Sequence, residues 1–186
     1  MNPRRRLDGL TLIETLLLVS VVASILAVFV PTFFRHLRTS KVSEAAERLQ
    51  EIYDGSAAYF VAAHPGQEGQ MPLRSCLPEA AGPTPLQISS EAQVVDFIDP
   101  ERGGHPTWAA LGFQPEEELR YRYSFLPTTT GCALPATTEG EVAFRLRAEG
   151  DIDGDGRLST FERDAVITED AELTPVGALH ITNRVE

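Results

Sequence analysis

Basic residues are scarce in this chain of 186: 16 Lys and Arg stand against 27 Asp and Glu, a formal net charge of −11. A general nucleic-acid binder needs a basic face, and this balance argues against one. A catalytic constellation is also missing. His36, His64, His105 and His180 are isolated, and no Cys–His or Ser–His pairing follows from spacing, so no residue pattern points to an enzyme. No internal repeat stands out. Core material is not lacking: 42% hydrophobic against 23% charged residues excludes wholesale disorder, and the length suits one domain better than two.

What is present is unevenly spread. Residues 1–41 hold six Lys and Arg against two acids, a charge of +4, while residues 42–186 hold ten against 25, a charge of −15. From Leu10 to Phe34 the only charge is Glu14. As a helix those residues extend about 37 Å, enough to cross a bilayer core of about 30 Å with tilt. A secretory signal has a shorter apolar region, roughly 7–15 residues, followed by small residues, whereas this run ends in Phe33 and Phe34. A single-pass anchor is the expectation. Arg4, Arg5 and Arg6 precede it, so the short tail should stay cytoplasmic and the acidic body should lie outside.

Glu14 is the anomaly. A carboxylate in the middle of a membrane helix costs about 2.5–3.5 kcal/mol on insertion scales, less near the interface. No other charge lies between Leu10 and Phe34, so the spacing implies a partner from outside this helix. Gly9-Leu10-Thr11-Leu12-Ile13-Glu14, after an Arg-rich leader and before the apolar run, resembles the cleavage and methylation motif of type IV prepilins and type II secretion pseudopilins. Pro31 stands where that family commonly carries a kinking proline. Leu10 replaces the usual Phe, and Thr15 stands where an aliphatic residue is commoner. The resemblance implies a prepilin peptidase that cuts Gly9–Leu10, N-methylation of the new amine, and pairing of Glu14 with a neighbouring subunit's terminal amine during assembly.

The helical pattern continues behind the anchor. Val42, Ala45, Leu49, Ile52, Tyr53, Ser56 and Phe60 form an apolar stripe with Glu44, Glu47, Arg48 and Glu51 opposite, and His64-Pro65-Gly66 stops it. Residues 65–118 show little periodicity apart from a short helix expected around Thr107–Leu111, closed by Gly112. Tyr121, Tyr123 and Phe125 alternate in one strand, Val142, Phe144, Leu146 and Ala148 in another. Val166–Thr168 and Leu179–Thr182 are weaker strand signals. The expected class is α+β: a long helix laid on a small antiparallel sheet. The expected divisions are a leader at 1–9, a membrane and assembly helix at 10–34, its amphipathic continuation at 35–62, and a head at 63–186.

Within the head, Asp151-Ile-Asp153-Gly-Asp155-Gly156-Arg157-Leu158-Ser159-Thr-Phe-Glu162 matches the twelve-residue calcium loop position by position. A hard cation takes six to eight oxygens, and the chain must turn sharply at Gly156 to supply them. Asp151, Asp153 and Asp155 would ligate Ca²⁺ by carboxylate, Arg157 by its carbonyl, Ser159 directly or through water, and Glu162 with both oxygens, while Leu158 points inward. The plainer reading is a solvated Asp-Gly turn. No second loop is present and Val142–Ala148 reads as a strand, so the likeness to helix–loop–helix proteins ends with the loop. Cys76 and Cys132 are the only cysteines, and outside the cytoplasm a disulfide between them is expected.

These features describe a structural subunit: cleaved, anchored in the bacterial inner membrane, and polymerised with identical or related subunits into a pilus or a periplasmic pseudopilus. The alternative is a membrane-anchored, calcium-dependent adhesion module that does not polymerise. Glu14 separates the two, since a plain anchor has no evident use for it.

Overall fold

The computed structural model describes residues 11–66 and 71–183, divided into two units, Met1–Ser40 and Lys41–Glu186. The side chains of residues 31–42, Val42 of the stripe and Pro31 among them, lie outside the description. One helix, α1 (Leu12–Val61), begins in the first unit and ends in the second. Thr11 caps it, and the Thr11 carbonyl accepts the first helical bond from Thr15 N at 3.0 Å.

In the first unit, Leu12–Val30 has a mean hydropathy of 2.5 and buries none of its residues. Its 19 residues extend about 28 Å, close to the thickness of a bilayer core. The hydroxyls within it turn back on the helix: Thr15 donates to Leu12 O at 2.9 Å and Ser24 to Ser20 O at 2.8 Å. No polar hydrogen of these two side chains therefore needs water, which suits an apolar surrounding.

The second unit is built on a five-stranded antiparallel sheet in the order β1 (Ala81–Thr84), β2 (Arg122–Pro127), β3 (Phe144–Gly150), β4 (Ser159–Ile167) and β5 (Leu173–Thr182). Each strand pairs with its sequence neighbours; the β3–β4 and β4–β5 returns are short, while the β1–β2 connection is long and carries α2. Tyr123, Ala148 and Phe161 sit side by side in register, as do Phe125 and Leu146, and all five face the core. Against that face α1 lays Ala45, Leu49, Ile52, Tyr53, Ser56 and Phe60, all buried. The three- and four-residue spacing keeps them on one side of the helix, as expected. A second aromatic layer of Phe97, Trp108 and Phe113 closes the core with edge-on and tilted contacts of 4.9–5.5 Å.

Gly55 sets how closely α1 approaches this layer. A Cβ there would fall 2.0 Å from Leu111 O, so any other residue would push the helix away from the loop after α2 (Pro106–Ala110). Helix α2 starts one residue before the expected span, with Pro106 at its first position and the His105 ring accepting from Thr107 N.

Several expectations are corrected by the tertiary structure. Glu44, assigned to the polar face, has a side chain only 16% exposed and accepts from Arg120 N at 2.8 Å and the Tyr123 hydroxyl at 3.4 Å. Val142 precedes β3 rather than opening it; its carbonyl accepts from the Thr128 hydroxyl at 2.7 Å. The weak signals at Val166–Thr168 and Leu179–Thr182 are the ends of longer strands. Strand β1, Ala-Gly-Pro-Thr, has no alternating pattern to announce it and is an edge strand, where a proline is tolerated.

Candidate functional site

Three places carry the residues singled out by the sequence: the start of α1, the acidic loop and the cysteine pair. At the first, Glu14 Oε2 accepts from Thr11 N and from the Thr11 hydroxyl, both at 2.8 Å, and Glu14 N donates to Thr11 Oγ1 at 3.4 Å. This reciprocal arrangement is a capping box, Thr at the N-cap and Glu three residues on. Glu14 therefore has a neutral partner within its own helix, which leaves room for a charged one from outside it. A plain anchor would also have a use for this carboxylate, as a cap. Gly9 and Leu10, and with them the leader 1–9, lie outside the described residues.

At the second place, carboxylate oxygens of Asp151, Asp153 and Asp155 all lie within 4.8 Å of one another. Asp151 is the hub: its oxygens accept from Gly154 N at 2.9 Å and Gly156 N at 3.1 Å. Asp155 accepts from Arg157 N at 2.7 Å. The turn occurs at Gly156, whose φ of +83° lies in the left-handed region that a side chain disfavours. Ile152, rather than Leu158, is the apolar residue buried beneath the loop.

The other half of the twelve-residue pattern lies elsewhere. Ser159 and Glu162 belong to β4. The Ser159 hydroxyl donates to Asn183 O at 2.9 Å, and Glu162 lies 2.7 Å from the Arg147 guanidinium. The three aspartates offer oxygen donors of the right kind for a hard cation, but fewer than the six to eight it prefers.

Glu162 is part of a larger arrangement on the sheet's outer face. Arg122–Glu149, Arg147–Glu162 and Arg145–Asp164 pair across neighbouring strands at 2.7–2.9 Å, the last with two parallel bonds. Sequence reasoning did not anticipate these pairs. The signal was the alternation of Arg145 with Arg147 and of Glu162 with Asp164 on the polar sides of two strands, but their partnership depends on register.

At the third place, Cys76 and Cys132 are joined, linking the segment after α1 to the β2–β3 connection across a separation of 56 residues. Backbone bonds flank the link: Leu77 and Gly131 exchange a pair at 2.9 and 3.0 Å, and Ala133 N donates to Arg74 O at 2.9 Å. Of the histidines, His64 donates to Tyr59 O at 2.8 Å, His105 caps α2, and His180 lies 3.3 Å from the Thr182 hydroxyl. Each of these three is occupied locally.

Comparison with known proteins adds one similarity. The type IV major pilin protein PilA of Myxococcus xanthus is 36% identical over 59 residues, 32% of this chain and 26% of that protein. Over that stretch the chain is similar to a type IV pilin. Its long N-terminal apolar helix and antiparallel head agree with that similarity. The matched part spans about a quarter of the relative's length. No family model and no solved structure matches. The apolar stretch Leu12–Val30 is long enough to cross a membrane.

Proposed function

We propose that the chain is a filament subunit, cut by a prepilin peptidase between Gly9 and Leu10, methylated on the new amine, and assembled through α1 with identical or related subunits. The observation that carries this reading is the exposed apolar stretch Leu12–Val30, which belongs to the same helix that packs its later residues into the head's core. Such a stretch demands cover, first from the inner membrane and then from like helices in a pilus or periplasmic pseudopilus. The basic leader favours a cytoplasmic N-terminus with the head outside. An oxidising compartment there is consistent with the Cys76–Cys132 bond.

Calcium enters this reading as a weak ligand of Asp151, Asp153 and Asp155, with the Arg157 carbonyl and water completing the shell. Ser159 and Glu162 would join only by leaving their present partners. The second reading, an anchored adhesion module, gains from the capping box, which gives Glu14 work to do without a filament. Mass spectrometry of the mature chain and recovery of the protein in the sheared filament fraction decide between them. A chain starting at Leu10 with one methyl group, present in filaments, supports the subunit. A chain starting at Met1, or one confined to the membrane, overturns it.

A further inference from the structure

The part of α1 that belongs to the second unit turns acids away from the core. Glu47 and Asp54 are exposed and Glu51 is half-buried, at four- and three-residue steps that keep them on one side of the helix. Arg48 widens this surface. Its guanidinium lies 2.7 Å from Glu51 and 2.5 Å from Glu117, which ties the exposed acidic run 116–118 to the helix. Arg48 is itself mostly covered, and its charge is shared between those two acids. Among the described residues Glu47, Glu116 and Glu118 have no ion pair, so the face keeps a strong negative excess.

The complement is in the same sequence. Arg35, Arg38 and Lys41 fall within two turns of α1, with no acid between residues 31 and 43, and they are the only cations between Leu10 and Arg48. Two parallel copies in register would set cations beside cations and acids beside acids, which repels. Sliding one copy by about 20 Å along the axis sets residues 35–41 of one beside residues 47–54 of the other. The apolar stretches Leu12–Val30, each about 28 Å long, still overlap at that stagger.

Resting on the filament reading, we propose that the acidic face of α1 is an assembly surface whose occupant is the basic segment 35–41 of a second copy. Each copy offers its acids to one neighbour and its cations to another. Such a contact is heterologous, and repeating one offset extends a filament instead of closing a pair.

Lys41 is the only lysine in the chain, which makes the contact readable. Sheared filaments of the parent are treated with a carbodiimide, which joins an amine to a carboxylate without a spacer. Covalent dimers and higher multiples are expected on a denaturing gel, with Lys41 joined to Glu47, Glu51 or Asp54 in the dimer band. Lys41→Arg keeps the charge and should abolish that link. A dimer band without it, or no dimers at all, overturns the proposal.

Charge exchange supplies the second measurement, made on the full chain. Glu47→Lys with Asp54→Lys should lower the protein recovered in sheared filaments about ten-fold at unchanged membrane level, and less at high salt. Adding Arg35→Glu and Arg38→Glu to that chain should restore recovery to within about two-fold of the parent. An undiminished sheared fraction after the first pair, or no recovery after the second, overturns the proposal. So does a result in which Arg35→Glu with Arg38→Glu lowers only the membrane level, since the cations then serve lipid headgroups. A parent absent from filaments defeats the filament reading as well, whereas a parent that assembles beside an unaffected Glu47→Lys, Asp54→Lys chain defeats this surface alone.

Discussion

Arg147 and Glu162 face each other across β3 and β4, guanidinium to carboxylate at 2.7 Å. Glu162 is the residue that would close a calcium loop with two oxygens, and the sheet already gives it a cationic partner. A bound ion would have to draw Glu162 out of a strand and away from Arg147, or do without it. The arrangement favours the second course and a correspondingly weak site.

Melting of the head in chelator and in millimolar calcium checks this. Calcium should raise the melting temperature only at high micromolar to millimolar concentration. Asp151→Asn should abolish the rise, because Asp151 also holds the Gly154 and Gly156 amides. Glu162→Gln should lower stability by about 1 kcal/mol, equally in chelator and calcium, since what it loses is one partly buried cross-strand ion pair. Identical parent curves in chelator and calcium would show the loop to be an acidic turn only.

Glu14→Val removes a charge from the apolar helix and should leave membrane insertion intact or improve it. The offset is the lost half of the capping box, the bonds from the Thr11 amide and hydroxyl to Glu14. Incorporation into filaments should nevertheless fall. Quantifying membrane-bound and sheared protein side by side separates the two effects.

Gly55→Ala reverses the usual sign of a glycine replacement in a helix. Alanine is favoured there by about 1 kcal/mol on propensity. The added methyl would meet the Leu111 carbonyl at 2.0 Å, a backbone atom that cannot swing aside. Net destabilisation of about 1–3 kcal/mol is expected, read by denaturant unfolding.

Tyr121 is buried and its hydroxyl has no hydrogen-bond partner among the described residues. Burial pushes the phenols of Tyr121 and Tyr123 upward from their ordinary value of about 10, with the nearby Glu44 charge adding to it. Because the folded state resists their ionisation, their contribution is full below about pH 10 and falls as pH rises above it, by up to ~1.4 kcal/mol per unit per tyrosine. Tyr121→Phe should match or exceed the parent in stability at pH 7 and soften the loss at alkaline pH. Unfolding measured from pH 7 to 12 checks both.

Replacing Cys76 and Cys132 together by serine should cost up to about 4 kcal/mol, the chain-entropy value for a loop this long. The bonds between Leu77 and Gly131 should remain, so the variant should fold and melt earlier. A melting point unchanged on reduction of the parent would place the loop's restraint in those backbone bonds alone.

The face assignments were legible because periodicity alone encodes them. Ala45, Leu49, Ile52 and Phe60 share a side of any helix, and Phe144, Leu146 and Ala148 share a side of any strand. The α+β class and the two units' contrast in polarity follow from those patterns and from composition. β1 was not legible, because Ala81–Thr84 carries Gly and Pro instead of alternation. The start of β4 was hidden for another reason. Ser159–Glu162 satisfies a loop motif and a strand pattern at once, and residue order cannot rank them.

By itself, then, the sequence determined which segments are apolar, which face each buries, and that an acid stands alone in the anchor. The tertiary structure decided what the head's carboxylates hold: Glu162 the guanidinium of Arg147, Glu44 the Arg120 amide. The physical reason is range. Hydrophobic burial acts on whole faces and survives an error of several ångströms, whereas a hydrogen bond is won or lost within a few tenths of one, and strand register sets that distance.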